Sequence, residues 1–283
     1  MEERKKMSEE IREFTRGGIP VLEIETADSV LQVSPYGAHV LSFCPFEDDG
    51  RDLLWVSGKS NFIPGKAIRG GIPVCWPWFG SAGTPGHGIA RIRMWETGER
   101  RREPDGSVTQ TFRLTAEDQG LRARLDVTAG KAQTVRLTTE NISDRPVALS
   151  EALHSYFAVG DIAKTEVLGL ECDYLCKLAE RNFTQSGPIR FSAETDRIFN
   201  AGSRAAVISD SVLERKICVE RFGSESAVVW NPWIEKAKRM EDFGDEEYRN
   251  MLCIEAANAG GDVRVLGPGA KHELSTRISL LAD

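Results

Sequence analysis

The residues best suited to acid–base chemistry are the histidines, because imidazole changes charge near neutral pH and the chain has only four of them. His154 lies in the strand-like run 152–157, where alternation places it on the same face as the aromatic hydroxyl of Tyr156. Two interpretations fit this position. One is a half-buried histidine satisfied by a neighbour, and the other is a general acid in a cleft.

Glu255 is the single carboxylate in the otherwise uncharged run 251–257. A carboxylate inside a buried strand requires an ion pair, hydrogen bonds or a shifted pKa. At an edge position the same residue would simply face water. The sequence therefore leaves open a structural surface glutamate and a general base.

Two arginines are candidates for binding an anion. Arg69 precedes two glycines, which permit close backbone approach, and the run continues to residue 80 with aromatic residues and prolines. Alternation in the run 86–95 predicts that Arg91, Arg93 and Trp95 share one face. Guanidinium groups beside aromatic rings suit a ligand that carries a phosphate on a sugar ring. A solvated arginine face that covers tryptophan is the alternative.

The elements that must position these residues are mostly strands. Outside residues 5–15 and short pieces near 235–250 the hydrophobic period is two, and turn clusters separate the strand-like runs. This pattern predicts an all-β fold, a large antiparallel sandwich, as a single domain over residues 1–283. Residues 1–16 are predicted to form a helical extension, because Met7, Ile11 and Phe14 have helical spacing.

Charge and composition exclude several classes of function. The chain has 43 acidic and 36 basic side chains and a net charge of −7, so a nucleic-acid partner is not expected. A charged first segment without an apolar core, and no run long enough to span a bilayer, predict a cytoplasmic protein without a membrane partner. Nucleotide-binding glycine patterns and zinc-site cysteine pairs are absent from the sequence, which predicts neither a cofactor nor a metal.

Taken together, the motifs resemble the aldose 1-epimerase (galactose mutarotase-like) superfamily, most closely its hexose-6-phosphate mutarotase branch. The resemblance covers nearly the whole chain, and its specificity comes from the order and spacing of the motifs. The matching segments are residues 36–42, 69–73, 87–91, 153–157, 194–197, 229–232 and 253–258.

The resemblance implies a β-supersandwich with a sugar cleft and a reaction, without a cofactor, that interconverts α and β anomers. His154 would be the general acid on the ring oxygen, and Glu255 the general base on the anomeric hydroxyl. We expect Glu255 to be ionised and His154 to be protonated near neutral pH. A small-molecule sugar phosphate is the implied partner, and a monomer is the expected state.

The resemblance also implies the substrate contacts. Arg69 and Arg91 would hold the 6-phosphate, Asp196 would bind sugar hydroxyls, and His87 would line the site near the ring. Gly86 stands where some members of the superfamily have glutamine, so one polar substrate contact is missing or replaced.

Two alternative functions fit the same resemblance. An epimerase of neutral aldoses would keep the fold and the chemistry, but Arg69 and Arg91 argue against it because two desolvated guanidiniums would lack a counter-charge. A sugar-phosphate binding or sensing module without catalysis would keep only the scaffold. Retention of both His154 and Glu255 argues against that module.

Overall fold

The protein is described by a computed structural model that covers residues 10–282. The strands in this range, in chain order, are β1 (Glu10–Arg16), β2 (Ile19–Glu25), β3 (Ser29–Ser34), β4 (His39–Pro45), β5 (Val74–Cys75), β6 (Glu96–Arg102), β7 (Val108–Ala116), β8 (Leu121–Ala129), β9 (Gln133–Asn141), β10 (Val147–Leu149), β11 (Ala152–Leu153), β12 (Tyr156–Ala158), β13 (Thr165–Leu168), β14 (Asp173–Cys176), β15 (Arg181–Thr184), β16 (Ile189–Arg190), β17 (Thr195–Phe199), β18 (Ala206–Asp210), β19 (Arg215–Phe222), β20 (Ser226–Asn231), β21 (Met251–Ala257), β22 (Arg264–Leu266) and β23 (Lys271–Leu280).

Helical structure is sparse in the described range. There is one α-helix, α1 (Trp233–Arg239), and the short 3-10 turns are Phe46–Asp48, Ala90–Ile92, Glu117–Gln119, Ile162–Lys164 and Glu247–Asn250. The short pieces near 235–250 that depart from the two-residue period correspond to α1 and the turn Glu247–Asn250. Within residues 10–282 no helix combines the length and the apolar character needed to cross a bilayer.

The strands form two large sheets and two small ones. The nine-stranded sheet has the order β16-β13-β18-β19-β23-β9-β8-β7-β6, and the eight-stranded sheet has the order β15-β14-β17-β20-β21-β11-β5, with β12 also on β21. A four-stranded sheet β1-β2-β3-β4 and the pair β10-β22 complete the fold. All pairings between these strands are antiparallel, so the predicted all-β antiparallel fold is confirmed.

The two large sheets face each other across the hydrophobic core. In β8 alternate residues are buried, because one face of this strand packs inward and the other meets water. Strand β21 of the eight-stranded sheet contacts β19 and β23 of the nine-stranded sheet. Strands β20 and β21 are buried along their whole length, so both faces of the sheet centre are covered. A polar side chain there is held away from water.

The predicted N-terminal helix is wrong over the part that the structure describes. Residues 10–16 form β1, whose register on β2 pairs Arg16 with Ile19 across the turn made by Gly17 and Gly18. A two-glycine turn between strand-like runs is a hairpin signal, and pairing to β2 outweighs the weak helical spacing. Residues 1–9 of the predicted helix lie outside the described residues.

Candidate active site

The candidate site is a cleft of about 240 Å³ over the centre of the eight-stranded sheet. Its walls combine charged groups with aromatic and sulfur-containing side chains. The lining residues are Arg69, Phe79, His87, His154, Tyr156, Lys177, Asp196, Val228, Trp230, Lys236, Met240 and Glu255. The structure therefore brings five of the six predicted site residues to one cavity. The exception is Arg91.

His154 and Glu255 are placed opposite each other by the backbone of the sheet. Strand β11 pairs with β21 at Leu153 and Ala256, and β12 resumes the pairing at Tyr156 and Cys253. Between them His154 donates its backbone N–H to the Pro73 carbonyl at 3.1 Å instead. The Nε2 atom of His154 lies 3.3 Å from Oε1 of Glu255. The distance between the two side chains is thus set by strand pairing.

Both members of this pair are deeply buried. The side chain of Glu255 is 1% exposed and that of His154 is 10% exposed. Burial raises the pKa of Glu255 well above its usual value, and the nearby Asp196 carboxylate adds to this effect. Burial, together with the charges of Arg69 and Arg91, lowers the pKa of His154. Desolvation therefore shifts both groups toward their neutral forms and opposes the expected pairing of an ionised Glu255 with a protonated His154.

Each member of the pair keeps one polar atom available. Nδ1 of His154 and Oε2 of Glu255 are buried and have no hydrogen-bond partner among the described residues. Buried polar atoms of this kind are costly unless something else satisfies them. Substrate hydroxyl groups are of the right chemistry to do so.

Aromatic rings fix the plane of the His154 imidazole. The ring of Tyr156 stacks on it at 4.7 Å with an interplanar angle of 10°, which confirms that the two side chains share a face. Trp230 packs against the His154 ring edge at 6.2 Å. These rings restrict rotation of the imidazole and line the cleft beside it.

His87 is a neutral neighbour of the pair. Its ring centre lies 5.8 Å from that of His154, so its predicted place near the site is observed. Burial and the charges of Arg91 and Lys177 lower the pKa of His87 to about 3. The backbone N–H of Gly80 donates to Nδ1 at 3.4 Å, which places the remaining ring hydrogen on Nε2. His87 can therefore donate a hydrogen bond without carrying charge.

Arg69 is held by two partners at the rim of the cleft. Its Nη1 donates to the Tyr156 hydroxyl at 3.1 Å, and its Nε donates to Oδ2 of Asp242 at 3.2 Å. Burial opposes the charge, but Tyr156 and Asp242 outweigh it and raise the pKa of Arg69. The guanidinium is thus charged and oriented before any ligand binds.

The two glycines after Arg69 are required by close backbone approach, as the sequence predicts. A Cβ atom on Gly71 would lie 2.1 Å from the Val40 carbonyl oxygen, and φ at Gly71 is +62°. A Cβ atom on Gly70 would lie 2.4 Å from the Trp55 carbonyl oxygen. No other residue type fits these positions without moving the backbone.

Arg91 is not among the residues that line the cleft. It lies in the 3-10 turn Ala90–Ile92, and its Nη2 donates to the Gly86 carbonyl at 2.8 Å. The strand predicted over 86–95 is therefore wrong, because the chain turns here and Ile89 bonds to the Trp76 carbonyl. Arg91 still acts on the site through its charge, which lowers the pKa values of both His87 and His154.

Asp196 lies on β17, opposite Trp230 of β20, and faces the cleft. Its Oδ2 atom is 3.6 Å from Nζ of Lys177. Burial raises the pKa of Asp196, against the opposing charges of Lys177 and Lys236. The predicted position of Asp196 in the site is therefore observed, with two cations beside it.

Sequence reasoning missed the lysines and the aspartate that complete the site. Lys177 follows the end of β14, Lys236 lies on α1, and Asp242 follows that helix. Each lies in an ordinary charged segment, and nothing local in the sequence distinguishes these residues from surface charges. Their role depends on β14 and α1 meeting over the sheet. Within residues 10–282 no group of His, Cys, Asp and Glu side chains is arranged to hold a metal ion.

Comparison with known proteins gives consistent results. The family model described as aldose 1-epimerase matches residues 20–279. A relative from Cenchrus ciliaris named "Putative glucose-6-phosphate 1-epimerase" is 39% identical over 266 residues, which cover 87% of this chain and 79% of the relative. An Escherichia coli relative of the same name is 36% identical over 250 residues, which cover 83% of this chain and 82% of the relative.

Solved structures are also similar to this chain over nearly its whole length. A crystal structure from Salmonella typhimurium described as a "putative mutarotase" superposes with a TM-score of 0.88 at 28% identity. The superposition covers 96% of this chain and 94% of that chain. The layered β-sheet architecture is therefore the one shared by galactose mutarotase-like proteins.

Proposed function

Because this chain belongs to the aldose 1-epimerase family, we propose that it is a hexose-6-phosphate mutarotase, which interconverts the α and β anomers of glucose 6-phosphate and related aldohexose 6-phosphates. The observation that supports this most strongly is the buried His154–Glu255 pair, 3.3 Å apart in the cleft. Acid–base catalysis of this kind needs two positioned groups, each contributing about 10²- to 10⁴-fold.

In the proposed first step, His154 donates a proton to the ring oxygen while Glu255 accepts the proton of the anomeric hydroxyl. The electron pair of the O1–H bond forms the carbonyl at C1, and the electron pair of the C1–O5 bond moves to the ring oxygen. The pair begins as imidazolium and carboxylate and ends as two neutral groups. Since burial favours the neutral forms, the cleft lowers the free energy of the ring-opened state.

The second step reverses the first after rotation about C1–C2. Glu255 returns its proton to the carbonyl oxygen, His154 recovers the proton of the C5 hydroxyl, and the ring closes on the opposite face. The proton count of the pair is the same before and after turnover, so neither group needs exchange with solvent.

The preference for a phosphorylated sugar rests on the charges of the cleft. Arg69, Lys177 and Lys236 line it, and Asp196 and Glu255 are the carboxylates that face them. Each cation has a carboxylate within 4 Å, Arg69 at Asp242, Lys177 at Asp196 and Lys236 at Glu194, so the support for a phosphate is the gathering of three cations on one cleft. We assign the 6-phosphate to Arg69 as a direct partner and to Arg91 as a charge acting from behind the cleft wall.

Asp196 is assigned to the sugar hydroxyls and His87 to a neutral hydrogen bond near the ring. We also propose that the protein acts as a cytoplasmic monomer. The six cysteines are all unpaired, which suits a reducing compartment.

Two-dimensional NMR exchange spectroscopy tests the proposed function. Catalytic amounts of protein are added to α and β glucose 6-phosphate, and separately to glucose and galactose in the same buffer. Faster anomer exchange of the phosphorylated sugar alone is the expected result. Acceleration of only the neutral sugars would reject the phosphate assignment, and no acceleration of any sugar would reject the catalytic role.

A further inference from the structure

A second cavity, of about 480 Å³, lies away from the catalytic cleft and shares no lining residue with it. It is formed where β19 ends, beside β22 and the start of β23. Its lining includes Arg221, Phe222, Ser224, Glu225, Arg264 and His272. The proposed mutarotase reaction does not use any of them.

Arg221 is the unusual member of this set. It occupies an inward-facing position of β19, in the same alternation as Ile217 and Val219, and is only 1% exposed. Its neighbour Phe222 is instead 50% exposed. The strand therefore buries a charge and exposes an aromatic ring, the reverse of what burial energetics favour.

The hydrogen bonding of Arg221 is incomplete. Its Nη2 donates to the carbonyl of Gly202 at 3.4 Å and to that of Arg204. Nε and Nη1 are buried and have no partner among the described residues. Within residues 10–282 no carboxylate forms an ion pair with it, and burial lowers the pKa of Arg221 to about 10. The guanidinium thus has spare donors and no counter-charge.

Arg215, at the other end of the same strand, provides the contrast. It is also buried, yet its Nη1 lies 2.6 Å from Oδ2 of the buried Asp48, and its Nη2 donates to two backbone carbonyls. Only its Nε is left without a partner. The fold supplies an internal carboxylate for one buried arginine of β19 and none for the other.

Further donors of the cavity are also unsatisfied. The Ser224 hydroxyl and Nε of Arg264 are buried without a partner. Asp262 neutralises Arg264 at 2.6 Å, and Glu225 is an exposed residue of the wall. The Nε2 atom of His272 already has a hydrogen-bond partner, Oδ1 of Asn258 at 2.9 Å. The unmatched buried charge is therefore positive, and it is accompanied by neutral and charged N–H and O–H donors.

We propose that this cavity is a binding site for a small oxyanion, a phosphate or carboxylate group, whose charge is balanced by Arg221 and whose oxygens accept from Arg221 and Ser224. An anion supplies both of the features that the protein itself lacks there, a counter-charge and acceptors for buried donors. The site is separate from the sugar cleft and shares no lining residue with it.

Isothermal titration calorimetry with inorganic phosphate, and in a second arm with succinate, tests the proposal on the full chain. We expect Arg221→Met to weaken a phosphate- or succinate-binding component by about 10-fold or more, because charged hydrogen bonds are lost. Ser224→Ala should weaken the same component by about 3- to 10-fold. Arg69→Met tests anion binding in the catalytic cleft. This variant should leave the binding component that depends on Arg221 and Ser224 unchanged.

Thermal unfolding gives an independent readout. Without added anion, Arg221→Met should raise the Tm, because an uncompensated buried charge is removed, whereas the matched control Arg215→Met should lower it by breaking the pair with Asp48. Added phosphate should raise the Tm of wild type and of Arg215→Met more than that of Arg221→Met.

The proposal is overturned if Arg221→Met and Ser224→Ala bind both anions as wild type does, or if Arg69→Met removes all anion binding. A fall in the Tm of Arg221→Met together with an unchanged phosphate response would show that Arg221 is only structural. If wild type binds only phosphate or only succinate, and Arg221→Met weakens that binding, the result supports the site and identifies the oxyanion that it takes.

Discussion

At the scale of single residues, the proposed reaction depends on how two buried side chains share protons. His154 and Glu255 lie 3.3 Å apart, and burial shifts the pKa values of both toward the neutral forms. Sequence patterning identified both residues and Arg69 as candidates, because each is an isolated polar residue in an apolar or glycine-framed context. It could not predict their protonation, which depends on the surrounding desolvation and on charges from distant segments such as Asp196.

Glu255→Gln should lower the rate of anomer exchange by about 10²- to 10⁴-fold, because the amide cannot accept the anomeric proton. Binding of glucose 6-phosphate should change by less than about 3-fold, since the amide has the shape of the carboxyl group and keeps one acceptor oxygen. Exchange spectroscopy and calorimetry measure the two quantities. The control is Glu235→Gln on α1, whose side chain is 77% exposed. Near-wild-type exchange in Glu255→Gln would remove this residue from the mechanism.

Arg69→Met should weaken the binding of glucose 6-phosphate by about 10- to 100-fold and affect glucose far less, because a charged hydrogen bond to phosphate is lost. Titration of both sugars measures the difference. The matched control is Arg93→Met, an exposed arginine outside the cleft. Equal losses for the two sugars would show that Arg69 has a structural role through Tyr156 and Asp242.

At the scale of elements, strands were predictable from the sequence where one face of the strand is buried and the other is exposed to solvent. The alternation of β8 and β9 is clear in the sequence and observed in the structure. The pattern failed where turns determine the path, at the hairpin of β1 and β2 and at the 3-10 turn that carries Arg91. In both places backbone partners from other segments outweigh a weak local periodicity.

Gly71→Ala tests the turn that positions Arg69 and the strand ladder around His154. A Cβ atom there would lie 2.1 Å from the Val40 carbonyl oxygen, so we expect a loss of about 2 to 4 kcal/mol in the free energy of unfolding. Gly50→Ala is the matched control, because φ is +70° and nothing lies within 4 Å of a Cβ atom. It should cost about 1 kcal/mol. Denaturant unfolding compares the two variants, and similar losses would reject close backbone approach as the reason for glycine at 71.

At the scale of the whole molecule, the site is assembled from segments that are far apart in the chain. Arg69, Lys177, Lys236 and Glu255 meet because the eight-stranded sheet brings their elements together. No local sequence signal predicts that these segments come together. Only the family resemblance, which rests on several motifs in order, predicted most of the site residues. The sequence did not single out Lys177, Lys236 and Asp242, because each lies in a charged segment that is typical of a solvent-exposed surface.

The interior between the sheets contains a further polar network, centred on Glu151. Trp76 donates to the Thr139 hydroxyl at 3.0 Å, and Thr139 donates to Oε2 of Glu151 at 2.9 Å. His272 lies 3.7 Å from Oε1. Burial raises the pKa of Glu151 from 4.5 to about 8, against the effects of Thr139 and Arg264. The folded protein therefore holds a proton here that the unfolded chain releases.

This raised pKa predicts a pH-dependent stability. Between pH 4.5 and about 8 the folded state binds more protons at Glu151, so its contribution to stability is present below pH 4.5 and falls as pH rises to about 8. Glu151→Gln removes this dependence, and the variant should gain about 1 to 3 kcal/mol relative to wild type across that range. Urea unfolding at several pH values measures the difference. A difference that stays constant with pH would contradict the prediction.

The proposed proton-transferring pair is held by the central strands, with Glu255 on β21 and His154 between β11 and β12. The proposed phosphate-binding cations extend from the end of β14, from α1 and from the segment after residue 68. Connecting segments tolerate substitution and insertion more readily than paired central strands do. Substrate choice and proton chemistry are consequently separable traits in this architecture. Natural selection or protein engineering can change these peripheral segments so that the cleft admits a different sugar. The reaction at the anomeric carbon of that sugar stays the same.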